Sequence, residues 1–547
     1  MIALEAIKRT FPTAWIALAL GLMVATPTGA AVEIIRDETG MPHVYGDTNY
    51  EVFYGFGYIL AKDRMFQLEM RKRQAWGTVA EILGPGDERW PDKFIVKDLE
   101  ARLRINRDEV VAEFEALPMG DKVIISAFAD GINRALEEML RDNTLSTHFS
   151  RFDLKPERWT VHDTLATAID VLSAYSAFST QLVNLKLYRF LRHKYPNDCD
   201  DLFDQLLWAN DPNAITTAGD HRIGGLNPDR IMAQGCGTVP NGLRLPDKPS
   251  ATTALQFITP PRLQPMRASM SWAVGAEKAE GFKSIFVNGP QPGWHSPGYF
   301  YPIGLHGGDF DLVGLAPEGT FVVEAGANRA FSWGTTAGLS SQVDHYEERM
   351  NADGTQYYYD GTWKPVGRRQ EIIKVRGQDP VVKTIRYTVH GPIVADDSER
   401  NLAYSRKVAW RGRAARSIMA WVDAGKAQSF ENWLSHARSF AFNYNWFYAD
   451  RDGNIGFVHT GLFPKRRNDH DHLLPASGDG SFEWEGYLPP DDIPFLLTRD
   501  YFANFNNKPR RNWPHSGLFW EQWGEANQVE ILIDALEACE RCDWDEV

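Results

Sequence analysis

The chain has 547 residues, 43% of them hydrophobic and 24% charged, with a formal net charge of −14. That balance excludes a disordered chain and leaves ample length for a large core. Lysine and arginine are dispersed along it, so no basic face for nucleic acid is evident and anionic partners are repelled on average.

Residues 1–31 read as an export signal. Lys8 and Arg9 precede the apolar run "WIALALGLMVA", and the small residues of "TPTGA" lead into the acidic "VEIIRDE", which predicts cleavage near Ala30 or Ala31. The run is short for a bilayer span and no second one follows, so a periplasmic or secreted protein with no stable membrane span is expected.

Residues 32–223 are predicted to be mostly helical after a short β segment. "DTNYEVFYGFGYILAKDRMFQLEMRKRQAWGTVAEILGPG" opens with a capping-box pattern, Thr48 with Glu51 three residues on, and keeps helical spacing until Gly84-Pro85. Two further tracts, "KVIISAFADGINRALEEML" and "VHDTLATAIDVLSAYSAFSTQLVNLKLYRFLRHKY", show broad apolar faces. Residues 224–268 form a spacer in which Pro240, Pro246, Pro249, Pro260, Pro261 and Pro265 interrupt any period. Residues 269–547 are rich in strands: "SIFVNG", "TFVVEAG", "AFSWGTT", "TIRYTVHGPIVAD" and "NLAYSRKVAW", then "NWFYA" and "IGFVHTG" flanking the turn Asp452-Gly453. The expected chain is α+β, a helical half and a β half joined by a loose segment.

The chain has four cysteines, too few for a disulfide scaffold. Cys199 and Cys236 could bridge, and Cys539 with Cys542 reads as a local or incidental pair rather than a metal or redox site. In "NDHDHLLP", His470 and His472 fall on one face of an extended segment without a clear third ligand, so a solvated loop is expected there. His390 in "TVHGPI" reads as a structural histidine at a strand end. Trp294, Tyr299 and Tyr301 either line a cleft or pack in the core.

No dinucleotide-binding or P-loop glycine pattern, helical H-E-x-x-H or G-x-S-x-G elbow is present. Another nucleophile design remains. In "RASMSWAVG" a serine stands where the loose segment meets a strand, and a serine released as a new N-terminus carries its own base. A free α-amine has a pKa of about 7.7–8.0, so it is partly neutral near physiological pH and can activate the hydroxyl beside it. On these residues alone, the pattern suits many strand-initial serines.

Longer blocks carry a resemblance. "IIRDETGMPHVYGDTNYEVFYGFGYILAKDRMFQLEMRKRQAWGTVAEILG" resembles the start of the small chain of penicillin G acylases, and "SMSWAVGAEKAEGFKSIFVNGPQPGWHSPGYFYPIGLHGGDFD" the start of their large chain. "FSWGTTAGLSSQVDHYEER", "TVHGPI", "YADRDGNIGFVHTGLFPKR" and "YFANFNNKP" continue the likeness in the same order, from about residue 33 to the chain end.

The resemblance implies an N-terminal-nucleophile hydrolase of αββα sandwich architecture, made from one precursor as a small and a large chain. Cleavage between Ala268 and Ser269 would expose Ser269 as nucleophile. Met270 stands where the family has asparagine. Gln291 in "NGPQ" would order the site near the free amine. The backbone N–H of Ala337 and the side chain of Asn506 would be the oxyanion donors, each worth about 3–4 kcal/mol in acyl transfer. The implied reaction is hydrolysis of a small N-acyl amide through an acyl-enzyme, with no cofactor.

The acyl pocket is expected to be lined by Pro292, Ala325, Thr335, Tyr175 and Ser176. Phenylacetyl-selective members carry phenylalanines at the positions of Pro292 and Ala325, and "LSAYSAFS" lacks their Arg-Phe pair. An enlarged pocket follows, open to bulkier acyl groups, including those of acyl-homoserine lactones; a hydrophobic pocket discriminates by only about 1–3 kcal/mol per methylene. Gln528 replaces a family arginine. The family's structural calcium is expected to be lost: Val343 and Asp344 are retained, but Ser341, Gly517 and Gln181 or Leu182 stand where its acidic ligands would be. The family chain also continues beyond the segment resembling "VEILIDALEACERCDWDEV", so a C-terminally short relative is expected, with exposed edges. The reading of another class is a non-catalytic relative that serves as a binding or structural protein.

Overall fold

The computed structural model describes residues 22–25, 31–207 apart from 175 and 178, 214–218, 242–243, 268–293, 296–511, 513, 515, 527–545 and 547. Most of the expected export signal and spacer lie outside these residues, as do Tyr175, Cys236, Trp294 and Gly517.

The capping box at Thr48 forms as its spacing predicts: the Glu51 N–H donates to Thr48 Oγ1 at 3.3 Å and the Thr48 N–H to Glu51 Oε2 at 3.0 Å. The helix it starts, Asn49–Trp76, ends earlier than Gly84-Pro85. Gly77 terminates it at φ +63°, donating to the carbonyls of Arg73 and Gln74. A Cβ there would lie 2.3 Å from the Asp98 carbonyl oxygen, so the position needs glycine on both counts. The second tract forms Met119–Arg141. The third breaks into Val161–Leu172 and Gln181–Lys194 around the "SAYSAFS" stretch.

Helical and β regions are not separate halves. Leu22–Ala25, Ala31–Arg36 and Pro42–Tyr45 form one end of a ten-stranded sheet whose other strands all follow Ser269. Pro42–Tyr45 runs parallel to Phe300–Gly307 with His43 opposite Gly304. The sheet continues through Phe310–Pro317, Ala325–Asn328, Phe331–Ala337, Tyr444–Asp450, Ile455–Thr460 and Phe495–Thr498. A short N-terminal hairpin cannot bury a face alone, and pairing with a later strand gives it both hydrogen bonds and a core.

Alternation along Tyr444–Asp450 shows how the layers stack, since all seven residues are buried. Trp446 and Tyr448 pack on Trp421 and Trp433 of the helices Ala414–Ala424 and Phe430–Ser439. Phe447, pointing the other way, stacks on Phe457 and on Phe502, with centroids 5.7 and 5.2 Å apart. Phe502 belongs to a second, three-stranded sheet ordered Tyr501–Asn504, Ala268–Val274, Ile285–Gln291. The opposite face of that sheet, with Val274, Ile285 and Ala503, is covered by Val529 and Leu536 of the helix Val529–Ala538. Around the strand Ala268–Val274 the order is therefore helix, sheet, sheet, helix. A six-stranded sheet beside this stack carries Val343–Arg349 between Leu402–Val408 and Ala476–Ser477.

Candidate active site

Ala268–Val274 is the middle strand of the three-stranded sheet, which fixes Ser269 from both sides. Ser269 pairs with Pro290 and Ala268 with Gln291 on one flank. On the other flank the register of Asn504 with Ser271, continued two residues, brings Asn506 opposite Ser269. Asn506 sits at φ +56°, a conformation asparagine tolerates better than most residues. Its side chain thereby turns back onto the serine. The Ser269 N–H donates to Asn506 Oδ1 at 3.0 Å, and Asn506 Nδ2 donates to Ser269 Oγ at 3.1 Å.

A third group closes on the same hydroxyl from the large sheet. The N–H of Ala337, last residue of Phe331–Ala337, donates to Ser269 Oγ at 3.4 Å. Two N–H groups, one at the end of a strand of the large sheet and one from the residues after Tyr501–Asn504, thus converge on one buried serine oxygen. Gly338 follows, and a Cβ there would lie 2.5–2.6 Å from the Asn443 amide, so the close turn after the donor needs glycine.

These donors are held by a buried polar network. Asn504 Oδ1 accepts from the Asn506 N–H and from Thr336 Oγ1, and Asn445 Nδ2 donates to Thr336 Oγ1 and to the Ala337 carbonyl. His459 Nδ1 lies 2.7 Å from Asn445 Oδ1, and its Nε2 2.7 Å from Ser340 Oγ, which also accepts from Trp513 Nε1. Burial pushes His459 down to about 3, so the ring is neutral, with the proton assigned to Nδ1 by its acceptor partner. Nothing in the sequence distinguishes this histidine from a packing residue.

Ser269 opens onto a cleft with about 500 Å³ of empty space, its open mouth included. Pro292 and Thr335 are among the residues that line it, together with Gln291, Ala337 and Tyr299. Ala325 and Ser176 are not among the lining residues. Ser176 is buried, and its hydroxyl accepts from the Asn443 N–H at 2.7 Å, while Ala174 reaches the cleft instead. Tyr301 is core, donating to Asp63 Oδ2 at 2.7 Å. Gln528 precedes the helix Val529–Ala538, and it too is not among the residues lining the cleft.

In place of Ala325 the cleft is lined by its neighbour Glu324. "TFVVEAG" does not form one strand: the ladder starts at Ala325, and Glu324 lies in the irregular segment before it, with its N–H on the Leu315 carbonyl. Glu324 Oε1 accepts from Thr335 Oγ1 at 2.8 Å. Burial pushes this carboxyl up to about 7, with the Thr335 hydroxyl opposing. A lone acid inside an apolar run was the available sign, and alternation alone does not show what it faces.

The residues at the expected calcium position do not fit a cation. Asp344 accepts from Arg466 Nε at 2.7 Å and Nη2 at 3.1 Å, from Gln181 Nε2 at 2.7 Å and from Trp484 Nε1 at 2.6 Å. Arg466 Nη1 also lies 2.7 Å from His515 Nδ1. The Arg466 guanidinium holds the Asp344 carboxyl well below the usual carboxylate range against its burial, and the lone pairs a calcium would use are taken up by N–H donors.

"NDHDHLLP" is not a solvated loop. Gln181 Nε2 and Asn184 Nδ2 donate to the carbonyls of His472 and Leu473, docking the segment against the helix Gln181–Lys194. His470 is buried and pushed down to about 4. His390 is structural as expected: buried beside Tyr346, it bridges Glu348 and Glu483 at 2.8 and 2.6 Å, which raises its pKa despite burial. Cys539 and Cys542 are bonded to each other. Cys199 is disulfide-bonded, and its expected partner Cys236 lies outside the described residues. Among the described residues, no helix is long and apolar enough to cross a membrane.

A model of the penicillin amidase family matches residues 31–546. Penicillin G acylase of Escherichia coli is 34% identical over 96% of this chain, which spans 64% of that protein. An acyl-homoserine lactone acylase of Pseudomonas aeruginosa is 26% identical over 84% of this chain, which spans 52% of it. The solved thermostable penicillin G acylase from Alcaligenes faecalis, in its orthorhombic form, is 36% identical over 51% of each chain with a TM-score of 0.49.

Proposed function

Because the chain belongs to the penicillin amidase family, we propose that it is an exported, self-processing hydrolase of small N-acyl amides with Ser269 as N-terminal nucleophile. The fold goes with that reading as an αββα N-terminal-nucleophile hydrolase. The observation that supports it most is the convergence of Ala337 N–H and Asn506 Nδ2 on Ser269 Oγ at the wall of a cleft.

The sequence of events starts with the leader at residues 1–31 directing export to the periplasm or beyond. Breaking the Ala268–Ser269 bond then separates a small chain, residues 32–223 with the spacer 224–268 attached or removed, from a large chain starting at Ser269. The released α-amine takes the Ser269 hydroxyl proton, through one water, as the oxygen attacks the substrate carbonyl. Negative charge gathers on the carbonyl oxygen between the two donors. The C–N bond breaks as the amine leaves with a proton, and water then attacks the ester to free the acid. Gln291, across the sheet from Ala268, stands where it can order the new terminus.

Acyl-homoserine lactones are the substrate class named for several relatives. Glu324 disfavours them here, because a long alkyl chain in the cleft would bury against a carboxyl.

Mass spectrometry of the purified protein tests the reading. A large fragment starting at Ser269, together with hydrolysis of an acyl p-nitroanilide, is the expected result. An intact chain through Ala268–Ser269 with no amide hydrolysis would sink it in favour of a binding or structural role.

A further inference from the structure

If the cleft is the acyl site, the reading on which this inference rests, one of its walls is unsuited to a plain hydrocarbon. Among the residues lining it, Glu324 is the single carboxyl; Pro290, Pro292, Phe300, Ala174 and Ala337 are apolar. The carboxyl is not there by structural necessity. Thr335 Oγ1 gives Oε1 one neutral hydrogen bond, and no cation pairs with Glu324 among the described residues. The nearby Arg71, 5.8 Å from the Tyr299 ring, is committed to Glu318 at 3.2 Å. A half-buried carboxyl with one neutral partner carries a desolvation cost that a cation arriving beside it would relieve.

Its position along the strand matters. Thr335 and Ala337 are two residues apart on Phe331–Ala337 and so share a face. Two strand residues span about 7 Å, which places the Glu324 partner that far from the oxyanion donor. An acyl group leaving Ser269 along this strand meets the carboxyl within a few bonds of its carbonyl.

We propose that Glu324 sets the specificity of the cleft and selects acyl groups that carry a protonated amine close to the scissile carbonyl. The ammonium supplies the missing countercharge and up to three N–H donors at a carboxyl that water reaches only in part. A methyl group of the same shape would desolvate the carboxyl further and leave it with the Thr335 hydrogen bond but no countercharge. Burial, opposed by the Thr335 hydroxyl, holds the empty site's carboxyl near 7, so an entering cation draws its proton off; the preference strengthens as pH rises toward 7 and fades once the amine loses its own proton, at about 7.7–8.0 for an amine on the first carbon. Among the described residues lining the cleft, the other ionisable groups are the phenols of Tyr299 and Tyr444 and, once the chain is cut, the α-amine of Ser269, which loses its charge at about 7.7–8.0.

The probes are acyl p-nitroanilides with an amine on the first, second or third carbon beyond the carbonyl, each matched with its methyl isostere. They are assayed with the full protein and with Glu324→Gln and Glu324→Val, whose far-UV spectra and thermal midpoints establish folding. At one amine position or more, the protein should favour the amine over the methyl by about tenfold or more in kcat/KM, and both variants should abolish or invert that ratio. Preference for the methyl isostere at every position, or a ratio that Glu324→Gln leaves unchanged, would overturn the inference. If no anilide is hydrolysed, the proposed reaction fails, and calorimetric titration with the matching acids decides the inference separately. Binding of the aminated acid that Glu324→Gln abolishes sustains it, and equal binding or none refutes it.

Discussion

Arg466→Met tests whether a guanidinium fills the role a cation would otherwise take. The side chains of Asp344 and Arg466 are 0% and 6% exposed, so the pair is sealed from solvent. The variant removes the two N–H···O bonds from Arg466 and leaves Asp344 with Gln181 Nε2 and Trp484 Nε1. Removing one partner of a buried pair costs about 3–5 kcal/mol, because the other charge stays desolvated. The two remaining donors keep the expected loss near the lower end, about 3 kcal/mol. Its pH dependence has a definite sign. A carboxylate with a depressed folded pKa stabilises above its unfolded value of about 3.9, and that contribution fades as pH falls through the folded value. Wild type and variant should therefore converge in acid. Urea unfolding followed by tryptophan fluorescence reads the difference, with Asp344→Asn/Arg466→Met recovering much of the loss since no unpaired charge remains. Chelator should leave the wild-type midpoint unmoved. A loss below about 0.5 kcal/mol, or one stoichiometric calcium surviving exhaustive chelation and dialysis, would refute the reasoning.

Three further outcomes are expected. Ser269→Ala should stay as one chain by mass spectrometry, and cleavage at the same bond in that variant would end the self-processing reading. If Asn506 is an oxyanion donor as proposed, Asn506→Ala should lower kcat by about 10²- to 10³-fold with little change in KM; an effect confined to KM would show that Asn506 only shapes the cleft. Glu324→Gln should change stability with pH. The folded carboxyl, raised from 4.5 to about 7, contributes fully below its unfolded pKa and loses that contribution as pH rises through 7. The variant should thus match wild type near pH 4.5 and exceed it at pH 8 by at most about 3 kcal/mol, less because the group faces an open cleft. Equal unfolding midpoints at pH 8 would contradict it.

Local signals were the most legible. Thr48 and Glu51 form the capping box their spacing predicts, and the strands flanking Asp452-Gly453 form an antiparallel hairpin. The ends of elements were read less well: Gly77 stops a helix expected to reach Gly84, because its left-handed backbone and its closeness to Asp98 are tertiary facts. The joining of Pro42–Tyr45 to Phe300–Gly307 pairs residues far apart in sequence, and no periodicity records a partner. Asn506 came from resemblance, since a bare "FNN" reads as a turn, and it is a turn; the backbone sign at that turn aims the amide at Ser269. The buried docking of His470 was hidden for a similar reason, its hold being supplied by Gln181 and Asn184 on a distant helix.

One strand accounts for the way substrate choice can depart from relatives while the reaction machinery stays. Along Phe331–Ala337, Thr336 faces the polar network with Asn445 and Asn504, and that network positions Ala337 and Asn506. Thr335 faces the cleft and holds Glu324. Thr336 also borders the cleft, so what separates the two sets is where the hydroxyls bond, Thr335 to Glu324 and Thr336 to Asn504. Replacing Glu324 or Pro292, which line the cleft, should change what it accepts without touching a hydrogen bond that holds Ala337 or Asn506. A change at 336, 445 or 504 would disturb both donors together, whatever acyl group is offered. Mutations in the first set should therefore reorder rates among substrates, whereas mutations in the second should lower all of them by a similar factor. A panel of anilides run on Thr335→Val and Thr336→Val distinguishes the two, and a uniform loss from Thr335→Val would show that the strand does not separate specificity from catalysis.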